Sequence, residues 1–442
     1  MTLFESIPAL LRILIVFVAI LALIRRKVSL GTAFMAGAVC LGLLFGQGPL
    51  AIVRSVVQGL FQPKTFSLAV AVTLILVLSH SMEATSQMKR LLKHFQGLLR
   101  NAGLNLVVFP ALIGLLPMPG GAIFSAPMVK NIGQRHALSG DRLSFINYWY
   151  RHIWEYWWPL YPGVLLTTTL AGLDLWLFVI SMVPMTFVAV VSGCAPLRGL
   201  TRDRRSPHQQ SNDGSRHNLK PFLRELAPIM IVIVLGLGLG TGLTPILNPL
   251  GLNIAKELGL VIALLISIGW VWNTNRLPKA QRYSILARKE LRQMFYMVAA
   301  ILIFKEILQD SRAVDAVSAE LLYLQIPLIS ITILLPMIVG LVCGITIAFV
   351  GSTFPILISL IQSLGEGQYM MAYMMLALTS GFLGVLFSPL HVCLMLSNAY
   401  FETGMKAVYR HLWQPCAAIL VVGCLYFSIL RYIPEVLSLN LQ

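Results

Sequence analysis

Long apolar runs follow one another along the chain, and two of them are interrupted by proline and glycine at corresponding positions. The first interrupted run contains Pro110 and Gly114, and the second contains Pro336 and Gly340, each 226 positions later. Helix-breaking residues inside apolar runs free backbone groups that protein, water or a ligand must satisfy. Two halves that each contain such a run are typical of secondary transporters, and a substrate is expected at the interruptions.

The amino-acid composition requires a membrane protein. Of the 442 residues, 57% are hydrophobic and 11% are charged, and the mean hydropathy is +0.80. Soluble domains carry about 25% charged residues, whereas runs of roughly 20 apolar residues can cross a bilayer. Residues 7–24 are predicted to be a first spanning helix and not a cleavable signal, because the basic cluster 25–27 follows the run instead of preceding it.

The sequence predicts an all-α polytopic membrane protein, an inverted repeat of two five-helix halves. Each half has a re-entrant hairpin and a broken helix, giving about 10 spanning helices and 2 hairpins. The arms of the first hairpin are about a dozen residues each, too short to cross a bilayer at about 1.5 Å per residue. The second has longer arms and is either a hairpin or two spans. The predicted spans are 7–24, 30–47, 66–84, 144–169, 172–193, 226–246, 257–273, 293–309, 369–398 and 412–432; the hairpins are 103–130 and 322–362; the halves are 1–195 and 225–442, joined by a cytoplasmic basic linker, 196–224.

The net charge of +16 is concentrated on one face of this predicted topology. With the N-terminus outside, 25 of the 33 Lys and Arg residues fall in loops on the cytoplasmic side, as the positive-inside rule requires. The charge is spread over several loops, so nucleic acid is not an expected partner. The prediction is a multi-pass protein of the cytoplasmic (inner) membrane with both termini outside. Because each half has an odd number of spans, the second half would be inserted upside down relative to the first. The first hairpin would then open from the cytoplasm and the second from outside, and the two tips would approach each other near the midplane.

The two tips and two further proline breaks form the predicted substrate and ion site. Freed backbone N–H groups and a helix N-terminus at the first tip favour an anion. Hydroxyl groups at the second tip are candidates to donate to an anion or to coordinate Na⁺. The alternatives are a tight turn at the first tip and simple kinks at the prolines. The predicted residues are Pro119, Gly120, Gly121 and Ser125 at the first tip, Gly351, Ser352 and Thr353 at the second, and Pro159, Tyr161, Ser388, Pro389 and His391 at the breaks.

Charged residues inside the predicted membrane segments are candidates for coupling or a charge relay. Arg151 and Glu155 are four positions apart on one helical face and are predicted to pair. His152 or Glu155 is a candidate proton relay, and Arg151 is a candidate contact for an anion. The alternative is a salt-bridged pair in an interfacial aromatic belt. Lys305 and Glu306, in the eighth span, are expected to support packing between the halves or to line a path.

The cysteine pattern gives no indication of a metal centre. None of the six cysteines forms a Cys-x-x-Cys pair, so neither a disulfide framework nor a zinc site is predicted, and the cysteines are expected to be small buried apolar residues. No cofactor is predicted, and Na⁺ enters only as a candidate coupling ion.

Two stretches resemble the DUF401 family of prokaryotic integral membrane proteins. One runs from Leu116 to Val129, and the other runs from Phe387 to Leu394. That family is grouped with the ion transporter superfamily, whose members include carriers of citrate, gluconate, C4-dicarboxylates and arsenite. The resemblance implies a dimer with a scaffold domain and an elevator-like transport domain bearing two opposed hairpins. The dicarboxylate carriers have Ser-Asn-Thr at each tip, whereas this chain has Pro-Gly-Gly and Gly-Ser-Thr.

The sequence therefore predicts a secondary active transporter, and not an enzyme, for a small anionic solute such as an organic acid or an oxyanion. Coupling to H⁺ or Na⁺ is expected, and an elevator mechanism is implied by the resemblance. The expected partners are the lipid bilayer, the solute and a second copy of the chain. The alternative is an intramembrane enzyme that acts on a lipid or a peptide through Arg151, His152 and Glu155.

Overall fold

The computed structural model describes residues 7–95, 101–118, 120–197, 219–247, 249 and 254–439, with side chains as far as residue 432. Secondary structure in these residues is helical, without strands. The first ten α-helices are α1 (Ala9–Arg25), α2 (Leu30–Leu44), α3 (Pro49–Phe61), α4 (Pro63–Ala84), α5 (Gln87–Phe95), α6 (Ala102–Gly114), α7 (Ala122–Arg135), α8 (Gly140–Arg151), α9 (Pro162–Ala171) and α10 (Leu175–Ser192). The next ten are α11 (Leu219–Leu247), α12 (Ala255–Thr274), α13 (Lys279–Leu286), α14 (Lys289–Asp310), α15 (Ala313–Tyr323), α16 (Leu328–Cys343), α17 (Thr346–Ser363), α18 (Met370–Phe387), α19 (Val392–Tyr400) and α20 (Met405–Leu439).

The second ten helices repeat the order of the first ten. Helix α4 begins at Pro63 and α14 begins at Lys289, 226 positions later, and α10 and α20 begin at Leu175 and Met405, 230 positions apart. These are the offsets that relate the proline and glycine pairs in the sequence. The interrupted pairs α6–α7 and α16–α17, and the broken pairs α8–α9 and α18–α19, occupy the same places in the two series.

Equivalent glycines bring equivalent helices close together in the two series. A Cβ atom built at Gly114 on α6 would lie 2.1 Å from the carbonyl oxygen of Arg151 on α8. At Gly340 on α16, a Cβ would lie 2.1 Å from the carbonyl oxygen of Gly381 on α18. Because Gly340 follows Gly114 by 226 positions and Gly381 follows Arg151 by 230, the same backbone contact is made twice. Because glycine has no side chain, Gly114 lets α6 approach α8 closely and Gly340 lets α16 approach α18 closely.

Several helices can cross a membrane, as the composition requires. Seven helical segments of the described residues are long and apolar enough, or up to eight if the bent pair α15–α16 forms one span. Four of the ten predicted spans are not among these seven. Helices α1 and α2 have only 17 and 15 residues, the segment 144–169 is divided between α8 and α9, and the segment 293–309 lies in α14, which contains Lys305 and Glu306. One of the seven, Thr346–Ser363, was predicted as part of the second hairpin. The seven are Pro63–Ala84, Leu175–Leu197, Leu219–Leu247, Ala255–Thr274, Thr346–Ser363, Gly367–Tyr400 and Met405–Tyr432.

Short helices occupy segments that were predicted to be loops. These are α3, α5, α13 and α15. In α5, the apolar residues Met88, Leu91 and Leu92 are buried, although they alternate with basic residues in sequence. This nine-residue helix has an apolar stripe along one side. The segment is too short and too charged to be recognised in the sequence as a membrane span. Of the predicted linker 196–224, residues 198–218 lie outside the described residues, and α11 already begins at Leu219.

The predicted positions of two breaks are confirmed and those of the other two are corrected. The first hairpin is interrupted between Gly114 and Ala122, and the helix pair α18–α19 is interrupted between Phe387 and Val392, as predicted. The break predicted at Pro159 begins earlier, because α8 already ends at Arg151.

The prediction of a second tip at Gly351, Ser352 and Thr353 is wrong, because these residues lie inside helix α17. The hydroxyl group of Ser352 donates to Ala348 O at 2.7 Å, a bond to the preceding turn that lets a polar residue remain within a helix. The interruption instead lies at Gly344, whose φ of +67° favours glycine and ends α16.

Candidate functional site

A cavity of about 240 Å³ lies where the four interruptions meet. Met118 and Gly120 come from the interruption between α6 and α7, called the first tip below, and Gly344 and Thr346 come from the interruption between α16 and α17, called the second tip. The tips also contact the broken helices of the opposite half. A Cβ at Gly120 would lie 2.9 Å from a side-chain atom of α19, and a Cβ at Gly163, in the first turn of α9, would lie 2.5 Å from Thr346. The broken helices contribute Arg151, His152, Glu155, Tyr161, Pro162, Gly163, Val385, His391, Val392 and Cys393 to the cavity wall.

Four helices begin at this cavity. They are α7, α9, α17 and α19, and residues at or next to the first turn of each line the wall. Their N-cap residues are Gly121, Tyr161, Ile345 and His391, and none of these four described residues makes a side-chain capping hydrogen bond. The first N–H groups of a helix lack intrahelical partners and carry the positive end of the helix dipole. Four such ends around one cavity favour a negatively charged ligand.

At the ends of α6 and α18, by contrast, side-chain donors satisfy carbonyl groups of the last turn. Helix α6 ends at Gly114, whose carbonyl accepts a hydrogen bond from the Tyr161 hydroxyl at 2.7 Å. Helix α18 ends at Phe387, whose carbonyl accepts from the Tyr409 hydroxyl at 2.9 Å. Donors on aromatic side chains also reach Leu115 O, from Trp158 at 2.9 Å, and Leu386 O, from Tyr148 at 3.1 Å. The carbonyl ends of α6 and α18 are thus compensated by side chains, whereas the N-termini of α7, α9, α17 and α19 have no side-chain cap.

Arg151 adds a full positive charge to this wall. Its side chain is 2% exposed, and Nη2 donates to Met118 O at 2.5 Å. Nε is buried without a hydrogen-bond partner among the described residues. A Cβ at Gly121 would lie 2.5 Å from Nη2, so the guanidinium group lies directly against the backbone of the first tip. A buried guanidinium with a donor to spare is suited to a carboxylate or an oxyanion.

The predicted pair of Arg151 and Glu155 is not formed; none of the ion pairs among the described residues includes Arg151. Because α8 ends at Arg151, the two residues no longer share a helical face. Instead, one Glu155 oxygen lies 3.8 Å from His152 Nε2, and the other accepts a hydrogen bond from Thr346 at 3.0 Å. Glu155 therefore connects the break of α8–α9 to the start of α17, in the opposite half.

The structure brings together only part of the predicted site. Arg151, His152, Glu155, Gly120, Tyr161 and His391 line the cavity. Ser125 is buried beside it and donates to Asn147 at 2.6 Å. Pro119 lies outside the described residues. Gly121, Pro159, Ser388, Pro389, Gly351, Ser352, Thr353, Lys305 and Glu306 are not among the lining residues.

Lys305 and Glu306 lie elsewhere, on α14, where Glu306 accepts a hydrogen bond from Gln62 at the junction of α3 and α4. Thr346 and Cys393 line the cavity but were not predicted. The signal for Thr346 is its place two residues after the glycine that ends α16, and the signal for Cys393 is its place in the first turn after the second proline break.

A second cavity, of about 340 Å³, lies among the ends of α4, α9, α10, α11 and α12. Its wall contains the ion pair of Lys256 and Asp174, so these two charges are already matched. Burial tends to raise the pKa of Asp174, but hydrogen bonds from Lys256 and from the Leu177 N–H outweigh it and leave the pKa below its usual value. With this pair formed, the larger cavity is a weaker candidate for an anion than the cavity beside Arg151.

The chain has been compared with known proteins. A family model described as "Protein of unknown function (DUF401)" matches residues 7–430, nearly the whole chain. No curated protein matches it.

Proposed function

We propose that this chain, which belongs to the DUF401 family, is a secondary active transporter that binds a small anionic organic acid or oxyanion in the cavity beside Arg151. The observation that carries the proposal is the convergence of four uncapped helix N-termini and one buried guanidinium on a single cavity. The volume of about 240 Å³ is below the range of about 300–1,000 Å³ typical of drug-sized ligands, and this favours a small solute.

The ion pairs support the topology predicted from the charges. Each pair that joins distant segments connects two that the charge count places on the same membrane face. The cytoplasmic pairs are Arg90–Glu225, Arg288–Glu83 and His411–Asp141, and the external pairs are Lys256–Asp174 and Arg431–Glu366. This agreement supports the grouping of these segments into two faces and halves of opposite orientation, while the excess of Lys and Arg on one face favours that face as cytoplasmic.

The repeated element order and the crossed contacts of the tips support alternating access. In the proposed inverted repeat, one tip would cover the cavity from the cytoplasmic side and the other from outside. A Cβ at Gly344, in the second tip, would lie 2.8 Å from the Ser388 hydroxyl oxygen, so this tip contacts the second proline break closely. Movement of either tip would therefore change the cavity wall. The elevator movement and the homodimer remain proposals that follow from the family resemblance.

The contacts favour H⁺ over Na⁺ as the coupling ion. The hydroxyl groups of Ser352 and Thr353, the predicted Na⁺ ligands, donate to carbonyls of their own helix, and neither residue lines the cavity. Glu155 does line it and accepts from Thr346, across the two halves. Protonation of Glu155 would remove the charge that holds this contact, which gives a proton a direct effect on the second tip.

Uptake into proteoliposomes tests the proposal. Purified protein is given a panel of small carboxylates and oxyanions under an imposed H⁺ gradient, an imposed Na⁺ gradient or no gradient. We expect uptake of one class of anion, stimulated by the H⁺ gradient. Arg151→Lys keeps the charge but loses the forked donor, and a lost charge-assisted hydrogen bond of about 1.5–3 kcal/mol weakens binding by roughly 10- to 150-fold.

Arg288→Lys is the matched control, because Arg288 pairs with Glu83 near the cytoplasmic surface, away from the cavity. Its uptake should equal that of the wild type. Uptake of anions that is insensitive to both gradients would contradict coupled transport. An unchanged apparent affinity in Arg151→Lys would remove Arg151 from the binding site.

A further inference from the structure

Three metal-ligating side chains from opposite halves meet at the wall of the cavity. One ring nitrogen of His152, one ring nitrogen of His391 and Sγ of Cys393 all lie within 4.8 Å of one another, and all three residues are buried. The two imidazole rings are 4.8 Å apart and nearly perpendicular, at 84°. His152 and His391 are 239 positions apart, so no ligand spacing in the sequence could indicate the cluster.

The hydrogen bonds of the two histidines leave the same nitrogen available in each ring. His152 Nδ1 lies 2.5 Å from Tyr148 O, and His391 Nδ1 lies 3.2 Å from Val385 O. His391 Nδ1 also lies 3.3 Å from the Tyr148 hydroxyl, which donates its hydrogen to Leu386 O and so accepts from the imidazole. A carbonyl oxygen only accepts, so these contacts favour the form of each ring in which Nδ1 carries the hydrogen and Nε2 carries a lone pair. Histidines that bind metals are held in this way by a backbone carbonyl on the other ring nitrogen.

His152 Nε2 is buried and has no hydrogen-bond partner among the described residues. A buried polar atom without a partner is costly, and a ligand at this position would remove the cost. Glu155 Oε1 lies 3.8 Å away. Cys393 lies in the first turn of α19, where the positive end of the helix favours a negatively charged sulfur.

We propose that His152, His391 and Cys393 bind one borderline-soft transition-metal ion, with Zn²⁺ as the best match. Two imidazoles and a thiolate form a three-residue ligand set suited to tetrahedral zinc with an open fourth position. Zinc–ligand distances of about 2.0–2.3 Å place tetrahedral ligand atoms roughly 3.3–3.8 Å apart, so binding contracts the cluster by about an ångström.

The ion would tie the break of α8–α9 to the break of α18–α19, and thus one half of the chain to the other. It would also add positive charge next to Arg151, in the cavity of the proposed anion site. Binding of the metal does not depend on transport, because it rests on the contacts of these side chains alone.

Co²⁺ is a suitable probe for this site in the purified full-length protein. After removal of metals with a chelator, Co²⁺ is titrated and the absorption spectrum is recorded. We expect one Co²⁺ per chain, a thiolate-to-cobalt charge-transfer band, and loss of both when Zn²⁺ is added. Cys393→Ser should lose the band. Cys416→Ser is the control, since Cys416 is also buried but lies on α20 and outside the cluster.

A second measurement keeps the test decisive if Cys393→Ser does not fold. His391→Gln retains the sulfur and should weaken Zn²⁺ binding tenfold or more in a competition titration, and the rise of the unfolding temperature with Zn²⁺ should fall accordingly. A folded wild type without a charge-transfer band overturns the proposal, as does equal Zn²⁺ affinity in the wild type and His391→Gln. Failure of anion uptake with Co²⁺ binding intact would count against transport only.

Discussion

The repeated glycine contact offers a direct test of the two-half architecture. Alanine at Gly114 or at Gly340 would place a Cβ atom 2.1 Å from a backbone carbonyl oxygen of the neighbouring helix. Ordinary contacts of this kind begin at 3.4 Å. Backbone atoms on both sides cannot rotate away, so α6 must move from α8, and α16 from α18, by roughly an ångström. The two substitutions are equivalent and should destabilise the protein to a similar extent.

The magnitude follows from two opposing effects. Overpacking of a close contact costs about 1–3 kcal/mol. Replacing glycine by alanine inside a helix contributes about 0.5–1 kcal/mol of stabilisation. The net loss in each variant is therefore at most about 2.5 kcal/mol and centres on roughly 1 kcal/mol, and the apparent unfolding temperature should fall by a few degrees. Gly114→Ala should also reduce anion uptake, because the carbonyl that its methyl group displaces belongs to Arg151.

Thermal unfolding in detergent, followed by the loss of monodisperse protein, measures these shifts. Gly238→Ala is the matched control, since Gly238 lies within α11 and a Cβ there would meet nothing within 4 Å. It should leave the unfolding temperature unchanged or raise it slightly. Stability of Gly340→Ala at or above that of Gly238→Ala would refute the close approach of α16 to α18. A large loss in Gly114→Ala alone would refute the equivalence of the halves.

Two further predictions concern the faces of the protein. Because the pKa of Asp174 is held below its usual value, its ionised form stabilises the fold; this contribution is present above about pH 4 and is lost as the pH falls through the lowered pKa. Asp174→Asn keeps the cap on Leu177 but loses the Lys256 pair, so its unfolding temperature should fall less than that of the wild type between pH 7 and pH 3; identical acid profiles would contradict this. Cys194 is exposed just after the end of α10, which the proposed topology places on the cytoplasmic side. In a variant without the other five cysteines, an impermeant maleimide should therefore label it in inverted vesicles and not in intact cells; the opposite result would reverse the topology.

Sequence patterns predicted the parts of the fold that depend on local chemistry. Apolar runs identify the long helices, and proline–glycine clusters identify two of the breaks, because these residues cannot continue a helix without loss. The second tip was misplaced because Gly351, Ser352 and Thr353 look like a turn, yet the two hydroxyl groups bond to carbonyls of their own helix. The early end of α8 was missed because no proline or glycine marks it.

Part of the candidate site was visible in the sequence for a similar reason. Arg151, His152 and Glu155 are conspicuous as polar groups in an apolar context, which is costly unless they are used. Their partners depend on tertiary contacts that no local pattern encodes: Thr346 reaches Glu155 from the other half, and Cys393 reaches His152 across 241 positions. A single cysteine in an apolar helix gives no sign of the neighbours that it acquires on folding.

The two halves share a backbone design but not their chemistry. At the offset of 230 that relates Pro159 to Pro389, the counterpart of Arg151 is Gly381, that of Glu155 is Val385, and that of Cys393 is Gly163. One half therefore supplies the guanidinium and the carboxylate, and the other supplies the thiol. If each half bound its own ligand, charged groups would be expected at both sets of positions. Because the guanidinium, the carboxylate and the thiol are divided between the halves, the polar wall of the cavity is complete only when both breaks meet. A ligand bound there would therefore depend on both halves at once.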